Sequence, residues 1–148
     1  MGYTNYWGFK KNPKDIENGA EKFKQAVTML KKGIKILKDT YADEDGKPLI
    51  LRGGNGEGKP IFTNTLVLFN GDRGTGNDYE SCCIELDMPD TFSFDFCKTA
   101  RMPYDVAVCL TLLCFRKAFG KDFSYRSDGS ITAGEEGWGL AKKIARRL

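Results

Sequence analysis

Lysine, threonine, arginine and tyrosine fall within one short stretch of the chain, at Lys98, Thr99, Arg101 and Tyr104. Together they offer positive charge and a hydroxyl for a phosphate and an aromatic face for a base. Pro103 suits the first position of a helix, and Asp105 complements the positive end of that helix. A basic, hydroxyl-bearing elbow at a helix N-terminus is a sound place to hold an anion. Asn70 and Asp128, each beside a glycine at the end of an expected strand, are candidates for reading base or ribose edges. Trp7 is a second candidate for stacking. These seven residues form the expected ligand-binding set, with no catalytic residue and no metal ligand among them.

Other chemistries fit less well. The chain contains no histidine, which removes mechanisms that need a His base, a Ser–His or Cys–His pair, or a His metal ligand. Glu85, Asp87, Asp90 and Asp95 are close in sequence, and Glu85 and Asp87 share a strand face, so two carboxylates could meet a magnesium ion. The nuclease pattern that pairs an acid with a lysine two places on is missed by one residue in Asp95-Phe-Cys-Lys98. Gly53 to Lys59 imitates a phosphate-binding loop, but Pro60 stands where a Ser or Thr should hold magnesium, and a strand pattern follows. The glycine-rich Asn70–Asp78 segment lacks EF-hand spacing. Cys97 has Lys98 beside it, yet a buried structural cysteine is the better assignment. No cofactor is expected.

The elements that must position these residues follow from periodicity. Phe92, Phe94 and Phe96 alternate with Ser93, Asp95 and Cys97, as in a half-buried strand leading into the elbow. Tyr3 to Phe9 forms a first strand. Asn12-Pro13 marks the start of a long amphipathic helix, with Ile16, Ala20, Phe23, Val27, Leu30, Ile34 and Leu37 at helical spacing. Its Lys24, Lys31, Lys32, Lys35 and Lys38 face elsewhere, as a solvated side would. Strands are expected at 48–52, 61–69, 81–87 and 91–97, then a buried helix from Pro103 to Phe119 that stops at Gly120. Phe123–Ser127 is a last strand, and Thr132 with Glu135 has capping-box spacing for a final basic helix. This order predicts one α+β domain over 1–148, with an antiparallel sheet of about five strands covered by three helices.

Charge and cysteine usage narrow the setting. The net charge is +3, but from Lys98 onward there are ten Lys/Arg against five Asp/Glu, so the second half faces anions. Five cysteines without a C-x-x-C pair, no signal-peptide pattern and no apolar run near the ~20 residues of a membrane span point to reduced thiols in a cytoplasm and to no membrane partner.

Tyr6-Trp7, Phe69-Asn70-Gly71, the string FCKTARMPYD from Phe96 to Asp105, and Ser127-Asp128-Gly129 before a late tryptophan together resemble a family of small uncharacterised proteins of bacteriophages and bacterial mobile elements. The resemblance covers most of the chain, and the Phe96–Asp105 string is its specific part. It implies an accessory phage protein acting in the host cytoplasm and supplies no catalytic residue. The resulting expectation is a non-enzymatic binder of a small phosphorylated, nucleotide-like ligand, sequestering a signal from host defence. A metal-dependent phosphodiesterase using Glu85, Asp87 or Asp95 is one alternative. An inhibitor that binds a host protein, or nucleic acid through its first and last helices, is another. A homo-oligomer is compatible with either binder.

Overall fold

The computed structural model describes residues 2–148. Six strands and three helices occur in the order β1 (Thr4–Phe9), α1 (Gly19–Thr40), β2 (Ile61–Phe62), β3 (Leu66–Phe69), β4 (Cys82–Glu85), β5 (Asp95–Lys98), α2 (Asp105–Phe119), β6 (Phe123–Ser127) and α3 (Trp138–Ala145). The class is α+β, but the expected single sheet is instead two antiparallel sheets of three strands each, ordered β5-β1-β6 and β2-β3-β4. Turns from Pro89 through Ser93 separate β4 from β5. β4 and β5 stop short of one another, and the connection from Leu86 to Phe94 exceeds the roughly 2–5 residues that fix a hairpin register, so the two strands join different sheets.

β1 is the central strand of the first sheet, pairing Tyr6 with Phe96 on one side and with Arg126 on the other. Tyr3, Asn5, Trp7 and Phe9 point into the molecule, where Phe9 meets Phe115, Phe119 and Phe123 edge-on. α2 is buried along nearly its whole length and lies between this sheet and α1, with Phe115 touching both Phe9 and Phe23. Such a helix needs apolar side chains all round, which explains its weak amphipathic pattern. The second sheet adds Val67, Phe69, Cys82 and Ile84 to the same core.

Several expected boundaries shift for identifiable reasons. Asn12 does not cap α1, which starts six residues after Pro13. Instead its side-chain amide donates to Asp87 (2.7 Å) and its carbonyl accepts from the Met88 amide (2.8 Å), tying the first connection to the end of β4. The expected strand at 48–52 is reduced to a single bridge between Arg52 and Asn70. The 61–69 run breaks into β2 and β3 around a turn held by the Thr63 hydroxyl. No helix follows Lys59, so the glycine-rich segment before it is a turn. Thr132 and Glu135 do not cap α3, whose N-cap is Gly137 with no side-chain cap; instead the Ser130 amide donates to the Glu135 carboxylate at 2.7 Å, closing the turns ahead of the helix. Among the described residues, no helix is long and apolar enough to cross a membrane.

Candidate functional site

The elbow between β5 and α2 is built around a carboxylate of the protein itself. Asp105, the first residue of α2, is 3% exposed. Its Oδ1 accepts from the Asn5 amide (2.8 Å) and the Thr99 hydroxyl (2.7 Å), and its Oδ2 accepts from the Gly137 amide (3.4 Å). The Cys109 thiol also donates to Oδ2. Burial raises the Asp105 pKa above its ordinary value, and the hydrogen bonds from Thr99 and Asn5 oppose that rise. The network continues outward: Ser127 donates to the Asn5 carbonyl at 2.6 Å and lies 3.2 Å from the Tyr3 hydroxyl. One internal anion thus joins β1, β6, α2 and the start of α3.

The expected site residues divide between this interior and the surface. Thr99 and Tyr104 are fully buried, and Tyr104 donates its hydroxyl to the Glu80 carbonyl at 2.6 Å, a position in which burial pushes its pKa up. Asn70 is also fully buried and closes all its hydrogen-bonding valences on its own loop. Its carbonyl accepts from the Gly71 and Tyr79 amides, and its amide donates to the Tyr79 carbonyl and the Ser81 hydroxyl. The Trp7 side chain is 3% exposed and belongs to the core. Arg101 is at the surface but pairs with Glu136 (3.0 Å) and lies over the Tyr3 ring (4.8 Å to its centroid). Lys98 and Asp128 remain exposed, and both lie on the outer side of the β5-β1-β6 sheet.

That outer side carries a second, more open constellation. Phe94 and Phe96 are 51% and 42% exposed, although they alternate like core residues; it is Cys97 that points inward, with no exposure. The Tyr6 ring lies 6.1 Å from Phe94, and Phe94 lies 6.0 Å from Phe96. The Arg126 guanidinium sits 4.6 Å above the Tyr6 ring, and the Tyr6 hydroxyl donates to Asp128 (3.2 Å). Tyr6, Gly8, Ser93, Phe94, Ser124 and Arg126 enclose a shallow cleft of about 130 Å³, which the otherwise buried Trp7 also borders. Gly8 makes this wall possible, because a Cβ there would fall 2.4 Å from the Ser93 carbonyl oxygen. The arrangement offers aromatic faces, two serines and a guanidinium held over Tyr6 in the same open surface. Tyr6, Phe94, Phe96 and Arg126 were not among the sequence-derived candidates.

The carboxylate alternative finds no gathering point. Glu85 is on β4 and Asp95 on β5, in different sheets. Asp87 pairs with Lys14 at 3.2 Å, and hydrogen bonds from Asn12 and Lys14 lower its pKa. Among the described residues, no three His, Cys, Asp or Glu side chains are grouped to hold a metal ion. The thiols are no better placed for chemistry: all five are unpaired, four are buried, and burial raises the half-exposed Cys83 to about 11. Cys97, too, is pushed up by burial, so its neighbour Lys98 does not activate it. No family model, no curated protein and no solved structure matches this chain.

Proposed function

We propose that this protein is a non-enzymatic binder of a nucleotide-like ligand, which it holds by stacking the base on the outer face of the β5-β1-β6 sheet. The carrying observation is that the exposed rings of Phe94 and Phe96 stand side by side, next to a half-buried Tyr6 whose face Arg126 covers. Exposed rings on an open antiparallel sheet are a general platform for unpaired bases, each stack contributing about 1–3 kcal/mol. Ser93 and Ser124 border the cleft and would meet base edges, while Arg126 and Lys98 would face the phosphate. Asp128, whose carboxylate accepts from the Thr4 amide and the Tyr6 hydroxyl, would meet a ribose or base edge only through its remaining lone pairs. The phage resemblance suggests a setting in which such a ligand is withheld from a host signalling pathway.

Incubating the protein with linear and cyclic nucleotides in magnesium, washing, releasing by heat and identifying the contents by mass spectrometry tests this reading. Intact nucleotide is expected, with at least about tenfold weaker retention in Phe94→Ala and in Arg126→Ala, the loss of one stacking or charge contact. Retention unchanged in both variants would remove the sheet face as the site. Chemically altered nucleotide would replace the binder with an enzyme.

A further inference from the structure

We infer that the surface formed by α1, the end of α2 and α3 is a docking face for the phosphate backbone of a nucleic acid, separate from the aromatic face. The charge of this chain is sharply divided. Residues 22–38, 116–117 and 142–147 carry twelve Lys/Arg and no Asp/Glu, whereas the rest carries eleven against twenty. The small net charge therefore conceals a strongly positive side and a negative remainder.

Packing brings the positive stretches together. A Cβ on Gly33 of α1 would come 2.8 Å from Leu110 of α2 and 3.3 Å from Leu148, so α1 lies close against both α2 and the segment after α3. Lys117 donates to the Leu148 carbonyl and borders a cleft with Lys24, Thr28, Met29 and Glu21, the one carboxylate in its lining. On α1, Lys24, Thr28, Lys31, Lys35 and Lys38 are exposed at alternating spacings of four and three residues, forming one ridge about 21 Å long by the helical rise. Lys143 on α3, and Arg146 and Arg147 just after it, are exposed. Among the described residues, the ion pairs involve none of these cations.

Such a ridge costs self-repulsion unless something neutralises it. Its length exceeds what one small phosphorylated ligand spans, which points to a polyanion. A membrane surface fits poorly, because Phe23, Leu30 and Leu37, the apolar side of α1, are fully buried and leave nothing to enter lipid. Lysine heads read phosphate as point charge, so DNA and RNA strands are expected to bind alike and without sequence preference. Because α2 separates this face from the aromatic sheet, the two surfaces are testable independently.

The test measures affinity of the full chain for labelled DNA and RNA strands, longer than the ridge, across about 50 to 200 mM salt. Wild type should show a steep linear fall in log affinity with log salt. The variant Lys24→Glu/Lys31→Glu/Lys35→Glu should bind at least about tenfold more weakly at low salt, with a slope shallower by about 2–3. A second variant, Lys143→Glu/Arg147→Glu, should shift the same way by less, and both should still retain mononucleotide. No strand binding by wild type, or an unchanged salt slope in both variants, would overturn the inference. So would an effect seen only with an acidic polypeptide. Strand binding that persists while mononucleotide retention is absent would remove the sheet-face reading and leave this one standing.

Discussion

The elbow and the outer sheet face are adjacent along the chain and opposite in kind. The elbow looks like a binding site in sequence, with two cations, a hydroxyl and a tyrosine, yet it is largely consumed by the fold. Thr99 donates inward to Asp105, Tyr104 to the Glu80 carbonyl, and Arg101 to Glu136. The outer face looks like core in sequence, with phenylalanines at strand spacing, yet it is open to water. A polar cluster at a helix N-terminus attracts an anion, and a carboxylate from the same chain, already tethered, meets that demand at little entropic cost. An apolar row, by contrast, is left open only when other residues fill the core, and an exposed aromatic row of this kind is where the proposed ligand would sit.

The largest expected effect breaks the elbow at its centre. Asp105→Ala leaves the Asn5 amide and the Thr99 hydroxyl without their buried acceptor. A loss of about 3 kcal/mol or failure to fold is expected in urea denaturation. Asp105→Asn is the sharper probe, because its sign depends on pH. Burial raises the folded-state pKa of Asp105 above its unfolded value, so the folded state binds a proton more tightly. Its ionisation therefore removes stability as pH rises from the unfolded value through the raised folded one. Wild type should gain on Asp105→Asn as pH falls through that window. A gap that narrows on acidification would mean that hydrogen bonds from Asn5 and Thr99 outweigh burial.

The two elbow cations give the next test, since the fold assigns them to different regions. Lys98 lies on the sheet face beyond Phe96, whereas Arg101 spans Tyr3 and Glu136. Lys98→Ala should weaken nucleotide retention several-fold and leave thermal unfolding unchanged. Arg101→Ala should cost up to about 1 kcal/mol of stability, as a half-exposed ion pair with a ring contact does, and leave retention intact. The reverse result would return the site to the elbow.

Much of this was legible before the structure, and the limits are physical. The class, α1, the buried α2 and the strand after it follow from periods of 3.6 and 2. Which face of β5 is wet was also readable, from a residue that was assigned elsewhere. Lys98 continues the phase of Phe94 and Phe96, and lysine is almost never buried, so the phenylalanine side had to face solvent. Arg126 and Asp128 mark the wet side of β6 in the same way. The partition into two sheets was not readable, because nothing local in β4 or β5 names a partner strand. Nor was the hub readable: Asn5, the Thr99–Asp105 elbow and Ser127 are drawn from three parts of the chain and meet only through tertiary packing. The charge division was present in the lysine-rich helices, but helical spacing alone could not say that α3 returns beside α1.

The smallest expected effect concerns the elbow backbone. Ala100 and Arg101 are consecutive left-handed residues, with φ of 50° and 59°. For a residue with a Cβ this conformation costs roughly 1–2 kcal/mol, and glycine removes most of that cost while adding entropy to the unfolded chain. Ala100→Gly should therefore stabilise the protein by no more than about 0.5 kcal/mol, a difference that chemical denaturation resolves only with matched slopes. The informative measurement is nucleotide retention in the same variant. Strain held to present Lys98, Thr99 and Arg101 to a ligand would be released by glycine, and retention would drop. Strain incurred only to turn Thr99 inward to Asp105 and the chain into α2 has no ligand to lose. Unchanged retention is the outcome expected when this turn serves the fold and the aromatic sheet serves the ligand.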